Sequence, residues 1–378
     1  MRADGRTARL TPSRAVTKLT GMESPAALLG CSLPQLEELA HQLGEPAYRG
    51  RQIFHWIYRK HAESFEQMQN IPARLRSALA EQYTIGAIPP VRVNESDDGT
   101  RKYLFPTQHG GFVEAALIPD GSRSTLCLST QVGCRRSCTF CQTARQGFQG
   151  NLSAGEIVNQ YHSIPERNAI TNIVYMGMGE PLDNFDGAMA SLAVFTDPDG
   201  YALPPRRITL STVGIHPELR SFLEHPDAEG ISLAVSLHSP FPEERRRIMP
   251  VENANPIEET LRLIRAGRED RSRRVSFEYT MFAGVNDTSA HVDGIARLLN
   301  GLSVRINLIP FHELEGTNLR PTPPEEIDAF AEKLREKGFR TSVRHSRGQD
   351  INAACGMLWT RHVEERAAVV SPTVRVTR

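Results

Sequence analysis

From Ser124 to Ser346 the chain switches repeatedly between two rhythms, and this alternation constrains its fold more than any other feature. Apolar runs of strand length recur as "STLCLST", "NIVYMGM", "RRITLST", "ISLAVSL", "VSFEYTM" and "RINLIPF". Between most of them lie stretches with apolar residues at helical spacing, such as "SAGEIVNQYHSI", "PIEETLRLIRAGRED" and "SAHVDGIARLLNGL". About six such units predict parallel strands joined by crossover helices. A closed barrel takes eight. The expected fold is therefore α/β, a partial (β/α)6 TIM-like barrel whose open mouth admits a large substrate. A further helix, "PPEEIDAFAEKLREKGF", leads to a last strand, "TSVRHS".

Ahead of the barrel, Ser32 to about Gln82 reads as helical. "SLPQLEELAHQLG" has a Ser cap and an early Pro, and "YRGRQIFHWIYRKHAESF" gathers Ile53, Trp56 and Ile57 on one face. The expected organisation is an N-terminal extension over 1–23, a small helical accessory domain over 24–90, linker strands over 91–120, the barrel over 121–350, and a C-terminal loop and tail over 351–378. Residues 1–20 are rich in Arg and Ser/Thr and poor in acids, which reads as a disordered extension rather than a transit peptide. Met22 offers an alternative start.

The chain carries 44 Lys+Arg against 44 Asp+Glu, so overall charge gives no reason to expect nucleic-acid binding, which local basic patches would have to supply. It has no apolar run approaching the roughly 18 residues of a membrane helix, and no secretory signal core. A cytoplasmic protein is expected. Of the six cysteines, four fall between Cys127 and Cys141, Cys355 lies far away, and Cys31 stands alone as a buried structural thiol. That is not a disulfide framework; it fits thiols kept for chemistry in a reducing compartment.

Cys134, Cys138 and Cys141 follow the first barrel strand in the order C-x3-C-x2-C, where such folds gather their chemistry. A closed zinc site would require a fourth Cys or His, and the loop has none. An iron–sulfur cluster held by three thiolates keeps one iron free. That iron can chelate the amino and carboxylate groups of S-adenosylmethionine. The expected cofactors are a [4Fe-4S] cluster and S-adenosylmethionine. The other distinctive segments also close strands: "GMGEPLDN", "TVG", "HSP" and "PFH".

With "TLCLSTQVGCRRSCTFCQTARQGF", "MGMGEP", "TLSTVG", "SLH", "FEYTM" with "VND", "INLIP" and "DINAACG", the chain from about residue 30 to 360 resembles the RlmN/Cfr family of radical S-adenosylmethionine RNA adenine methyltransferases. The resemblance implies a cluster on Cys134, Cys138 and Cys141, with cofactor contacts from Gly179, Glu180, Ser211, Ser236, Leu237, His238 and Asn307. Glu180 would accept from the cofactor's ammonium, and the glycines would let backbone approach it. It further implies two S-adenosylmethionine molecules per turnover. One methylates Cys355; the second is split, and its radical takes hydrogen from that methyl group. The resulting carbon radical adds to adenine, whose carbons 2 and 8 are too electron-poor for polar methyl transfer. Glu114 would then remove the ring proton, and Cys127 would attack the sulfur of Cys355 to release methylated RNA. Cys355 lies before Gly356 in a loop expected to move.

The implied substrates are 23S rRNA near the peptidyl-transferase centre and the tRNA adenine beside the anticodon, methylated at carbon 2. Methylation at carbon 8, a radical enzyme with a non-RNA target and a zinc-stapled RNA-binding protein are the alternatives. An electron donor such as flavodoxin, a monomeric state and no membrane association complete the expectation. For RNA contacts, Arg245 to Arg247, the six arginines from Arg262 to Arg274, and "YRGRQIFHWIYRK" are candidates, the last because arginines flank aromatics that stack on bases.

Overall fold

The structure, a computed structural model, describes residues 25–267, 274–314, 316–360 and 375–377. Three helices open it: α1 (Leu33–Gln42), α2 (Tyr48–Tyr58) and α3 (Ala73–Gln82). Ser32 caps α1, its backbone N–H donating to Gln35 at 2.8 Å in a capping box. Gly50 lets α1 and α2 cross closely, since a Cβ there would stand 2.3 Å from the Leu36 carbonyl. Cys31 is half-buried beside this unit, and the Tyr58 hydroxyl donates to its carbonyl at 2.8 Å.

Eleven strands form the main sheet: β1 (Arg92–Glu95), β2 (Arg101–Pro106), β3 (Phe112–Asp120), β4 (Arg123–Cys127), β5 (Asn172–Tyr175), β6 (Ile208–Thr212), β7 (Ser232–Ser236), β8 (Val275–Met281), β9 (Arg305–Pro310), β10 (Arg340–Val343) and β11 (Arg375–Thr377). Their order is β10-β9-β8-β7-β6-β5-β4-β3-β2-β1-β11. Neighbours from β4 to β10 are all parallel. This sequential order is the expected open barrel, and Ile173, Leu210, Leu233, Phe277 and Leu308, which the register places on one face of the sheet, are all buried. The crossovers carry α5 (Ala154–His162), α6 (Phe185–Thr196), α7 (His216–Glu224), α8 (Pro242–Ile248), α9 (Ile257–Ala266), α10 (Ser289–Leu298) and α11 (Pro324–Glu336) after the short α4 (Gln142–Gln146).

Strands β1, β2 and β3 are not detached from the barrel. They continue its sheet as an antiparallel flank on β4, with Ala116 opposite Cys127 and Lys102 opposite Ala116. The helical unit docks through an aromatic cluster. The rings of Tyr58 and Tyr201 stand 5.4 Å apart, and the Tyr201 hydroxyl bonds His162 Nδ1 at 2.7 Å. No helix among the described residues is long and apolar enough to cross a membrane.

Candidate active site

The cysteine loop leaves β4 and is closed at its base by Gln131–Val132 pairing with Gly150–Asn151. Gly133 makes this closure possible: its φ is +70°, and a Cβ would lie 1.6 Å from the Gly147 carbonyl oxygen. Cys138 is buried, and Cys134 and Cys141 are half-buried. Burial pushes the Cys134 thiol up to about 12 and the Cys138 thiol well above its ordinary range. Repulsion from the other cysteines of the trio adds to both. Three crowded, desolvated thiols, with the Glu180 carboxylate pushing Cys134 and Cys138 higher still, become thiolates around a cation. The Arg136 backbone N–H points at Cys134 Sγ at 3.3 Å, as hydrogen bonds do at cluster sulfurs. No three His, Cys, Asp or Glu among the described residues converge on a single-ion position. One zinc would bring its thiolates within about 4 Å of each other, whereas a cluster spreads them over separate irons. The donor set fits a cluster with three protein ligands.

Adjacent strand ends close around this loop. Arg136 forks onto Asp183, with Nε donating to Oδ2 at 2.6 Å, which ties the loop to the "GMGEPLDN" turn. Gly177 and Gly179 serve packing against the chain leaving β4. A Cβ at Gly177 would sit 2.6 Å from the Leu128 carbonyl, and one at Gly179, at φ +98°, 2.6 Å from the Gln131 side chain. Glu180 is 3 % exposed and accepts from the backbone N–H of Leu182 at 3.0 Å and of Val213 at 2.9 Å. Burial raises its carboxyl to about 7, so an approaching cation would hold it ionised. Ser211 is half-exposed at the end of β6, while its neighbour Thr212 is buried and bonds Glu180.

His238 sits in left-handed backbone at φ +54°, a strained conformation for a non-glycine residue. Its Nδ1 accepts from Thr280 N–H at 2.9 Å, so the proton is assigned to Nε2. Phe140, from the cysteine loop, packs edge-on to its ring at 4.7 Å. Burial lowers the imidazole to about 3 and keeps it neutral. Ser236 and Leu237 contribute carbonyls, both accepting from Arg245. Asn307 has both amide ends engaged, donating to Glu278 Oε1 at 2.8 Å and accepting from Ser342 Oγ at 2.6 Å. It is therefore part of the sheet's own polar network.

Cys127 is buried with Ala116 and Ala353, beside Val174, Met176 and Ile351. Cys355 is exposed to solvent. Burial, and then the nearby Cys355, push the Cys127 thiol up to about 12. The structure thus brings together two cysteines 228 positions apart in sequence (355 less 127). The Cys355 segment is held at several points rather than left free. Gly356 O accepts from Gln142 N–H at 2.7 Å, Leu358 O from Thr143 Oγ1 at 2.7 Å, and Gly348 N–H donates to Asp98 at 2.9 Å. Glu114, 4 % exposed, accepts from Trp359 N–H at 2.9 Å and pairs with Lys102 at 3.0 Å.

The basic segments divide. Arg245 is wholly buried, ion-paired with Glu252 and donating to the carbonyls of Leu237, Ser236 and Val213, so it cannot meet phosphate. Its place between Phe241 and Ile248 at helical spacing was the available signal. Arg247 is exposed. Arg262 pairs with Glu259 at 2.5 Å, and Arg268, Arg271 and Arg273 lie outside the described residues, as does the 1–23 extension. On α2, Tyr48 is 54 % exposed with the Arg49 guanidinium 4.8 Å from its ring centroid.

Two family models match: Radical SAM superfamily over residues 128–299, and Ribosomal RNA large subunit methyltransferase N-terminal domain over residues 26–85. A "Probable dual-specificity RNA methyltransferase RlmN" of Porphyromonas gingivalis is 48% identical over 345 residues, 91% of this chain and 97% of that protein. A dual-specificity RNA methyltransferase RlmN of Halorhodospira halophila is 40% identical over 352 residues, 92% of this chain and 97% of that protein. Among solved structures, a radical SAM methyltransferase from Sphaerobacter thermophilus superposes with a TM-score of 0.82 at 40% identity, covering 88% of this chain and 99% of that one.

Proposed function

The chain belongs to the RlmN family of radical S-adenosylmethionine RNA methyltransferases, and we propose that it methylates carbon 2 of adenine through a methyl group carried on Cys355. The observation that carries this reading is the convergence of Cys355, Cys127 and Glu114 beside the cysteine loop. Polar methyl transfer straight from S-adenosylmethionine would need no pair of cysteines.

Cys134, Cys138 and Cys141 would hold a [4Fe-4S] cluster, with Glu180, Thr212, Ser211, His238 and the strand-end backbone facing S-adenosylmethionine. When bound, these groups supply the methyl cation equivalent that loads Cys355 and the 5'-deoxyadenosyl radical that activates it. Two cofactor molecules are used per turnover. The chain's own residues do the rest. The S-methyl group of Cys355 gives up a hydrogen atom, and its carbon bonds to carbon 2 of adenine. Glu114 takes the ring proton, and the adduct's unpaired electron would return to the redox centre that the three cysteines hold. Cys127 then bonds to the Cys355 sulfur, the electron pair of the breaking sulfur–carbon bond passes to the methylene carbon, that carbon takes a proton from solvent to become methyl, and RNA leaves. Burial holds the Cys127 thiol weakly acidic, so its proton leaves as the sulfur–sulfur bond forms. An external reductant resets the pair.

The RNA is 23S rRNA near the peptidyl-transferase centre, with tRNA beside the anticodon as second substrate. The exposed Tyr48–Arg49 pair on α2 supports RNA stacking by the helical unit. A cytoplasmic monomer drawing electrons from a flavodoxin-like donor completes the reading. Mass spectrometry of rRNA digests from expressing cells tests it. 2-Methyladenosine is expected; 8-methyladenosine alone would overturn the assignment.

A further inference from the structure

Glu114 does not stand alone on its strand. Lys102 lies opposite Ala116 across β2 and β3, and Ala116 lies opposite Cys127 across β3 and β4. Directly paired residues share a face of the sheet, and so does Glu114, two positions from Ala116. One face therefore carries Lys102, Glu114, Ala116 and Cys127 in a compact block. The Cys355 segment lies over it, with Ala353 packed on Ala116 and Cys127.

Lys102 connects the two layers. Its Nζ stands 3.0 Å from Glu114 Oε1 and donates to the Asn352 carbonyl at 3.3 Å. Its side chain is only 11% exposed and that of Glu114 5%. A buried carboxylate with no counter-charge takes up a proton instead of staying ionised. On the other side, the second Glu114 oxygen accepts from Trp359 N–H, on the far flank of Cys355. Base and ammonium are thus tied to the loop on both sequence flanks of Cys355.

We propose that Lys102 is a positioning residue for the radical methylation: it keeps Glu114 in the carboxylate form needed to take the carbon-2 proton, and it registers that carboxylate against the Cys355 loop through Asn352. This rests on Glu114 being the base. In the step itself the proton passes from carbon 2 of the adduct to a Glu114 oxygen, the C–H electron pair stays in the ring, the adduct's unpaired electron returns to the redox centre of the proposed reaction, and the ammonium neither gains nor loses a proton. Burial pushes the Glu114 carboxyl up, while Lys102, then Trp359 N–H and Arg92 of β1, pull it down. Removing Lys102 therefore moves the carboxyl to a higher midpoint. Proton removal then slows at neutral pH and recovers as the pH rises. The neutral-pH rate drops about tenfold for every pH unit by which that midpoint climbs above the assay pH.

The test compares Lys102→Met, Lys102→Arg and Glu114→Gln in the reconstituted full chain with an rRNA fragment. Cys355 methylation is read by peptide mass, and the enzyme–RNA adduct on denaturing gels across pH 6.5 to 9. The expected result is normal Cys355 methylation in all three. Lys102→Met should show a slow-resolving adduct that clears at high pH, and Lys102→Arg should stay within a few-fold of wild type. Glu114→Gln should leave an adduct at every pH. Resolution by Lys102→Met at the wild-type rate and pH profile, while Glu114→Gln stalls, overturns the role of Lys102 alone. Wild-type turnover by Glu114→Gln overturns the base assignment itself. Loss of Cys355 methylation in Lys102→Met overturns the proposal in favour of a loop-holding role. Should Lys102→Met not fold, Lys102→Gln is read by the same criteria.

Discussion

Glu114 and Trp359 stand 245 positions apart in sequence, yet the Trp359 backbone N–H donates to Glu114 Oε2 at 2.9 Å. The hydrogen bond fastens the end of the Cys355 segment to the antiparallel flank of the barrel. It makes the candidate base and the candidate methyl carrier parts of one assembly.

Variants of Cys127 and Cys355 are expected to separate by their products. Cys355→Ala has no sulfur to load, so RNA methylation falls to background. Cys127→Ala loads and transfers but cannot break the sulfur–carbon bond, so enzyme remains covalently attached to RNA. Denaturing gels with labelled RNA distinguish the two; a Cys127→Ala variant that turns over without adduct contradicts the release role.

Gly133→Ala forces a Cβ into the space of the Gly147 carbonyl at a φ that alanine resists. The base of the cysteine loop must open. Iron and sulfide retained after anaerobic reconstitution should fall severalfold, while far-ultraviolet circular dichroism stays near that of wild type. Unchanged iron content would show that the closure does not shape the cluster site.

Arg245→Met strands Glu252 as a buried, unpaired charge and frees three strand-end carbonyls. Stability should drop by about 3–5 kcal/mol in denaturant titrations. RNA affinity of the folded fraction should hold, because the guanidinium never reaches the surface.

His162 is buried against Tyr201, and burial lowers its imidazole to about 3. The unfolded chain takes up a proton near pH 6.5 that the folded chain refuses. The stability this neutral ring supports is complete above that pH and is lost as pH falls toward 3. At pH 5 the loss is on the order of 2 kcal/mol. His162→Gln should therefore lose less thermal stability than wild type between pH 7 and pH 5. Equal losses would show that another group carries the acid sensitivity. Glu180, raised to about 7, acts with the opposite sign in the same window, so the difference between the two proteins is the informative quantity.

The barrel was legible because its strands are short, apolar and bounded by turns, and the site because its motifs lie where those strands end. Cys134, Cys138 and Cys141 declare themselves by spacing alone. Lys102 does not: in "RKYLFP" it reads as an exposed charge, and only the register of β2 on β3 turns it toward Glu114. Arg245 sits in "RRRI", a run that looks basic and solvated until the helix period is applied. Asn307 and the glycines of "GMGEP" illustrate the converse. Their residue types suit a cofactor, but within the chain they satisfy Glu278, Ser342 and the strand leaving Cys127. Pairwise register and side-chain partners are properties of the assembled sheet, which one strand read in isolation does not carry.

The most direct test follows the methyl group. Enzyme loaded at Cys355 with a trideuterated methyl is freed of cofactor, then given unlabelled S-adenosylmethionine, reductant and RNA for one turnover. The account predicts 2-methyladenosine carrying two deuterium atoms, one having been abstracted and replaced from solvent. Product carrying none, or all three, would contradict transfer through a carbon radical on Cys355.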